Sequence, residues 1–305
     1  MFGHRPDGKL VTKGVDPITR FTPYIMVERS DAQCYTTQYA DSDILQEYVR
    51  KKRAEGIKIS QMDVIIAAYV RMIAHMPELN RFVVGKKLYA RNECCISFAM
   101  VKRMGTTDFL ETTVKIHCDP ATDTIFDVSR RIQATIERNR QLSTSNSTDK
   151  IANGVFKVPG LPTIGVGLLK FLDRIGCLPK SIIDASPFHT SMFITNMGSI
   201  GMTSLYHHIY NFGTTTEFIG LGKKEYRLKV KRDKETREKV IHAQPVYPMA
   251  CVIDERVCAG AMYSMGFKYV DHYLSHPELL ETPPDPSEVR YDIGCEYHLK
   301  EEIIH

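Results

Sequence analysis

An α/β fold, a sheet covered by helices, is what this sequence predicts, and three observations carry that expectation. Short apolar or alternating runs recur as strand candidates at 87–90, 94–101, 110–117, 192–196, 217–221 and 248–253. Between them lie segments whose apolar residues repeat every three or four positions behind a capping residue. Near the C-terminus an apolar run, 249–253, passes through residues 254–260 into a helical pattern of Met262, Met265, Gly266, Tyr269 and Val270. That block reads as strand, tight turn and helix, and such turns often carry catalytic side chains.

Taken in order, residues 1–21 are polar and rich in turn formers and read as an arm lying on the domain. Alternation over 33–39 predicts a strand. Asp41 and Ser42 then cap a helix with Ile44, Leu45, Tyr48 and Val49 on one face. Ser60 and Asp63 form a capping box ahead of an apolar helix that ends before Pro77, and Thr124 with Asp127 opens another, with Ile125, Val128, Ile132 and Ile136 on its buried side. Residues 143–148 are a polar break. The apolar segment 156–179 follows, where Pro159, Pro162 and Pro179 confine a helix too short to span a bilayer. It reads as a plain buried helix, as a lid or wall around an acyl-binding tunnel, or, less favoured, as a lipid- or membrane-surface module. Residues 223–239 interleave acids with bases and read as a solvated hairpin, and an irregular tail, 283–305, begins at Pro283.

Bulk composition excludes several classes. With 43% hydrophobic and 25% charged residues and a net charge of +4, the chain is an ordinary soluble protein with no basic patch for nucleic acid. The 8 cysteines show no Cys-x-x-Cys spacing and read as buried free thiols of a cytoplasmic protein. No signal peptide or membrane span is visible. No metal site is expected, since only His189 could join His207 and His208 as a ligand. The pairs Gly165/Gly167 and Gly220/Gly222 lack the strand-loop-helix context of a phosphate loop.

The turn Asp254-Glu255-Arg256-Val257-Cys258-Ala259-Gly260 resembles the Asp-His-Arg-x-x-Asp-Gly signature of the 2-oxoacid dehydrogenase acyltransferase catalytic domain, a relative of chloramphenicol acetyltransferase. Further segments resemble that family in the same order. They are the helix from Ser60 with Pro77-Glu78-Leu79-Asn80, then Phe193-Ile194-Thr195-Asn196-Met197-Gly198, Ile219-Gly220-Leu221-Gly222, and His276 to Leu280. The resemblance implies a chloramphenicol-acetyltransferase-like two-layer sandwich over 22–282, a mixed sheet covered by helices, with 156–179 as an apolar insertion. It also implies a homotrimer with the catalytic centre between subunits, and coenzyme A as the acyl-carrying substrate in an extended channel. No lipoyl module or lipoyl attachment is visible, so the chain reads as a stand-alone member acting on a small-molecule or lipid acceptor.

The chemistry implied is altered at its centre. The family's general base is the histidine replaced here by Glu255, and Ala259 stands where the family has Asp. A carboxylate of ordinary pKa takes a proton from a thiol only uphill, by about 6 kcal/mol. Glu255 therefore reads as base or as part of an ion-pair cluster with Asp254 and Arg256. Thr195 matches the hydroxyl that stabilises the oxyanion, or is a plain β-branched strand residue. His207 and His208, in the loop after that strand, are surface residues or a relocated base, with His208 slightly preferred, because histidine alone ordinarily titrates near neutrality. Cys258 reads as a small buried residue. The alternative to a coenzyme A-dependent enzyme is a catalytically silent trimeric binding or structural protein. If a channel exists, the segment 156–179 is expected beside it, near Thr195.

Overall fold

The computed structural model describes residues 4–104, 109–141, 160–233 and 236–293. The polar break at 143–148, the first residues of the 156–179 segment and the tail beyond 293 lie outside them. Inside the expected arm, the chain opens with two short strands, β1 (His4–Arg5) and β2 (Gly8–Leu10), and a helix, α1 (Pro17–Ile25), capped by Asp16, whose side chain accepts from Thr19 N. β3 (Gln33–Asp41) hands directly to α2 (Ser42–Ala54), where the Asp41 carboxylate accepts from the backbone of Asp43 and Ile44. The expected Ser60–Asp63 capping box is present at the start of α3 (Gln61–His75). Every residue from Asp63 to His75 is buried, because this helix is apolar on all sides and fills the centre of the molecule.

A hairpin of β4 (Phe82–Val84) and β5 (Lys87–Arg91) follows, turning through Gly85 and Lys86, both at positive φ. β1, β2, β5 and β4 form a four-stranded sheet in that order, so the start of the chain is stitched to the body by β2–β5 pairing. β6 (Cys94–Met104) and β7 (Phe109–Cys118) form the next hairpin, and α4 (Ile125–Gln141) starts behind reciprocal Thr124–Asp127 hydrogen bonds. The apolar segment supplies α5 (Leu161–Ile175), followed by the short α6 (Lys180–Ala185). β8 (Met192–Asn196), β9 (Glu217–Leu221), β10 (Glu225–Arg232), β11 (Lys239–Asp254) and α7 (Gly260–Ser275) complete the fold.

The large sheet has the order β10-β11-β9-β8-β6-β7, with β3 along the other side of β11. It is mixed: β6, β8 and β9 run parallel, while β7, β11 and β3 are antiparallel to their neighbours. Strand alternation divides its side chains between two faces. Ile96, Phe98, Ile194, Ile219 and Cys251 point into the core shared with α2, α3, α4 and α7. Phe193, Phe218 and Val252 point the other way and form a second cluster with Ile209 of the loop after β8.

Two surfaces depart from expectation. α5 is not a buried helix: Ile164, Leu168 and Phe171 face outward, Ile164 at 70% exposure. The β10–β11 pair is the expected hairpin, yet only one of its faces is solvated charge. Arg227, Lys229 and Lys231 alternate with Tyr226, Leu228 and Val230, and the first two of these apolar residues are 71% exposed.

One core residue breaks the pattern. Glu217 opens β9 on the helix-facing side, buried among Tyr69, Met72, Cys251, Phe267 and Leu274 beside a cavity of about 30 Å³. Burial pushes its carboxyl up to about 8. The fold therefore favours the protonated form. The stabilisation is complete below the ordinary glutamate range and is lost as pH rises through about 8. Between those limits the wild type should lose on the order of 4 kcal/mol from this group. The Glu217→Gln variant should lack that loss, as urea unfolding at pH 5 and pH 8 will show.

Candidate functional site

The residues singled out from the sequence occupy two places on the large sheet. Thr195 is the penultimate residue of β8, on the second face, in register with Gly220 of β9, which in turn pairs with Ala250 of β11. Glycine is required at 220: a Cβ there would lie 2.2 Å from the Leu205 carbonyl oxygen, so the loop after β8 rests directly on the sheet beside Thr195. The half-buried Thr195 hydroxyl donates to Met197 Sδ at 3.7 Å. Thioether sulfur is a weak acceptor, readily exchanged for a charged oxygen.

The same loop carries the two histidines. His207 lies flat on Phe218, with ring centroids 4.2 Å apart and planes within 9°. Phe218 stacks on Phe193 at 4.7 Å, two residues before Thr195 on the same face. In the neutral ring, His207 Nδ1 donates to the His208 carbonyl at 2.9 Å, which leaves Nε2 as the unprotonated, basic nitrogen. His208 is exposed, with its ring edge-on to Tyr210 at 4.8 Å. The two ring centroids are 4.5 Å apart, and of the pair His207 is the one stacked on the sheet residue Phe218.

Glu255 lies at the other end of β11. Five residues separate Ala250 from it, about 17 Å of extended chain, so one chain does not bring Glu255 to Thr195. Glu255 is exposed and accepts from Cys34 Sγ at 3.4 Å. It opens onto a groove of about 560 Å³ between β3 and α7, walled by Tyr39, Arg227, Lys268 and Asp271. The Asp254 carboxylate next to it is fully buried and held by Arg256 through Nε at 2.8 Å and Nη2 at 2.7 Å. Arg29 Nε stands 3.4 Å from the same carboxylate, an ionic contact too poorly aligned to be a hydrogen bond. Burial draws the Arg29 guanidinium down to about 10 against the pull of Asp254, so it stays charged at neutral pH. Arg29 has no motif around it; its only sequence signal is a lone base ahead of β3.

Arg29 and Arg256 form part of the wall of a cavity of about 190 Å³, with Lys86, Lys170 and Arg174 opposed by Glu28 and Asp173. The C-terminal half of α5 reaches this cavity. The short link from Pro179 to β8 led to the expectation of a place near Thr195; the contacts of this end of α5 are instead at the opposite end of β8. Asp173 of α5 instead stands 3.4 Å from His189, which precedes the start of β8. The Arg174 carbonyl packs against the Gly85 turn, where a Cβ would meet it at 2.7 Å. Cys258 is buried, and burial pushes its thiol up to about 12, which removes it as a nucleophile.

Similarity to known structures extends over most of the chain. A probable dihydrolipoamide acetyltransferase from Listeria monocytogenes superposes with a TM-score of 0.53 at 14% identity, over 87% of this chain and 94% of that one. A dihydrolipoamide acetyltransferase from Azotobacter vinelandii, solved to examine one serine, one histidine and one asparagine in its catalytic mechanism, gives 0.52 at 14% identity, over 88% and 94%. A chloramphenicol acetyltransferase gives 0.50 at 12% identity, over 88% and 99%. The chain has the fold of the 2-oxoacid dehydrogenase acyltransferase cores. No model of a known protein family matches the sequence, and no curated protein matches it either.

Within this fold Ala259 has a local consequence. It is the N-cap of α7 and supplies no side-chain acceptor to the first turn. An aspartate there would accept from an unpaired backbone N–H and complement the helix dipole. Ala259→Asp should therefore stabilise the protein by about 1 kcal/mol, read as a rise of roughly 2 °C in melting temperature.

Proposed function

We propose that this protein is a stand-alone acyltransferase that takes an acyl group from a coenzyme A thioester and passes it to a small-molecule or lipid acceptor, as a homotrimer. The observation that carries this reading is the arrangement of Thr195 and His207 on one face of the sheet. Among the described residues, His207 Nε2 has no hydrogen-bond partner and the Thr195 hydroxyl donates only to a sulfur. In the reaction His207 removes the proton from the acceptor as it attacks the thioester carbonyl. The Thr195 hydroxyl donates to the tetrahedral oxyanion, and collapse expels the coenzyme A thiolate, which recovers the proton from His207. The acceptor–acyl bond forms in the attack that creates the tetrahedral intermediate, and the thioester C–S bond breaks in its collapse.

The separation of the two ends supports assembly as part of this reading. Repeated around a closed ring, the Thr195 end of one copy can face the Glu255 end of the next. The β10–β11 hairpin supplies a surface of the kind such an interface needs, with Tyr226, Leu228 and Val230 exposed on one side. Glu255 then orients substrate or the neighbouring subunit. A silent binding protein of the same fold is the second reading, favoured by the Glu255–Cys34 contact and the absence of a polar side chain at Ala259.

Release of free thiol from acetyl- and longer acyl-coenzyme A separates the two readings. Turnover should fall about 100–1,000-fold in Thr195→Ala and about 100–10,000-fold in His207→Ala, with His208→Ala within a few-fold of wild type. Dihydrolipoamide should be a poor acceptor. If no acyl-coenzyme A releases thiol with any acceptor class, the silent reading stands. Light scattering should give about three times the chain mass of 34.7 kDa. Leu228→Asp with Val230→Asp should reduce it to a single chain.

A further inference from the structure

Away from both ends of the proposed site, three side chains of different donor type converge at the start of the β6–β7 hairpin. Cys95 and His117 are direct cross-strand partners, so both side chains leave the same face of the sheet, opposite the main core. Glu93, in the turn before β6, folds back onto them. Cys95 Sγ lies 3.3 Å from His117 Nδ1 and 3.6 Å from Glu93 Oε2, and the latter two atoms are 3.2 Å apart. The three atoms therefore form a nearly equilateral triangle. Thiolate, imidazole and carboxylate held by one tetrahedral zinc ion, with bonds of about 2.0–2.3 Å, would stand about 3.3–3.6 Å from one another. A hydrogen-bonded cluster needs no such equality: Nδ1 carries at most one proton and cannot donate to both neighbours at full strength.

The surroundings fit a metal centre. Cys95 is 4% exposed, while His117 and Glu93 are half-buried, which leaves an approach from one side. Glu93 presents one oxygen to the triangle because Lys180 of α6 holds the other, Oε1, at 2.5 Å. Such an outer partner keeps a carboxylate monodentate and oriented. Lys180 is itself neutralised by Asp184 at 2.8 Å, so its charge is shared between two acids. Ser97, the next residue of β6 on the same face, is fully buried, and its hydroxyl has no hydrogen-bond partner among the described residues. It is a polar neighbour for a water completing the shell.

We infer that Glu93, Cys95 and His117 form a zinc site with three protein ligands and a water in the fourth position. Three ligands and an open position are the pattern of zinc sites that activate water or bind an anion, whereas closed structural sites use four protein ligands. The site does not depend on acyl transfer, since Cys95 lies beside the start of β8 and Thr195 near the far end of that strand.

Metal-free protein titrated with Co²⁺ or Zn²⁺ tests this directly. One equivalent of Co²⁺ should bind per chain, with the near-ultraviolet charge-transfer band of a cobalt–thiolate bond, and one equivalent of Zn²⁺ should displace it. Cys95→Ser should abolish the band, and Glu93→Gln and His117→Ala should each weaken binding more than tenfold, with circular dichroism confirming the fold of each variant. Cys34→Ser and Cys177→Ser should leave the band unchanged. Should Cys95→Ser fail to fold, Glu93→Gln, which alters no core packing, carries the test. A folded wild type that takes up no stoichiometric Co²⁺ at micromolar concentration would overturn the proposal, as would a thiolate band that survives in Cys95→Ser or vanishes in Cys34→Ser.

Discussion

The buried Asp254 carboxylate is the constraint on which the rest of the molecule depends. It ends β11 and receives two charge-assisted hydrogen bonds from Arg256 two residues on, while Arg29 approaches from the start of β3. The two guanidinium groups then reach outward. Arg29 donates to the Tyr210 carbonyl at 2.8 Å and the Val83 carbonyl at 3.1 Å, and Arg256 donates to the Val27 carbonyl at 3.1 Å. One carboxylate thus ties the large sheet, the small sheet, the loop that carries His207 and the segment after α1. Removing one partner of such a buried pair typically costs about 3–5 kcal/mol, because the charge left behind has no water to turn to. Geometry at this point is specified by charge where hydrophobic packing alone would leave it loose.

That hub also explains how the fold tolerates an altered motif. Asp254 and Arg256 do structural work and keep their residue types, whereas Glu255 and Ala259 point out of the core and are free to differ. Glu255 reaches the groove between β3 and α7, and Ala259 merely begins a helix. The loop after β8 is constrained far more tightly than its irregular backbone implies, since Gly220 and the Phe218 ring fit against it. His207 in this loop is held by stacking and by one backbone hydrogen bond, which fixes its position and, in the neutral ring, its tautomer.

The sheet's two faces have different characters, and the candidate functional residues concentrate on one. The helix-facing side is a continuous apolar core interrupted by Glu217, whose burial favours its protonated form. The other side carries Thr195, the His207 stack and the Glu93–Cys95–His117 triangle within a single layer of strands. Alternation along each strand is what separates them, and a shift of one residue in register would exchange the two sets. α5 covers part of the small sheet's hairpin and leaves Ile164, Leu168 and Phe171 in water.

Local signals in the sequence determined a good deal. The capping pairs Ser60–Asp63 and Thr124–Asp127, the Asp41 cap and the strands at 192–196 and 217–221 are written in neighbouring residues, because caps and alternation act over four positions or fewer. The ordered motifs between Ser60 and Leu280 pointed to the acyltransferase fold that the structure has. β1, β2 and α1 were not legible, since strands of two or three residues carry no period and form only once β5 offers its edge. Nor was the role of Arg29, which is separated from Asp254 by 225 positions, or the meeting of Glu93, Cys95 and His117 across a hairpin. Residue type and spacing announce chemistry only when the donors lie within a turn of one another. Where strand pairing brings them together, register decides, and register belongs to the tertiary fold.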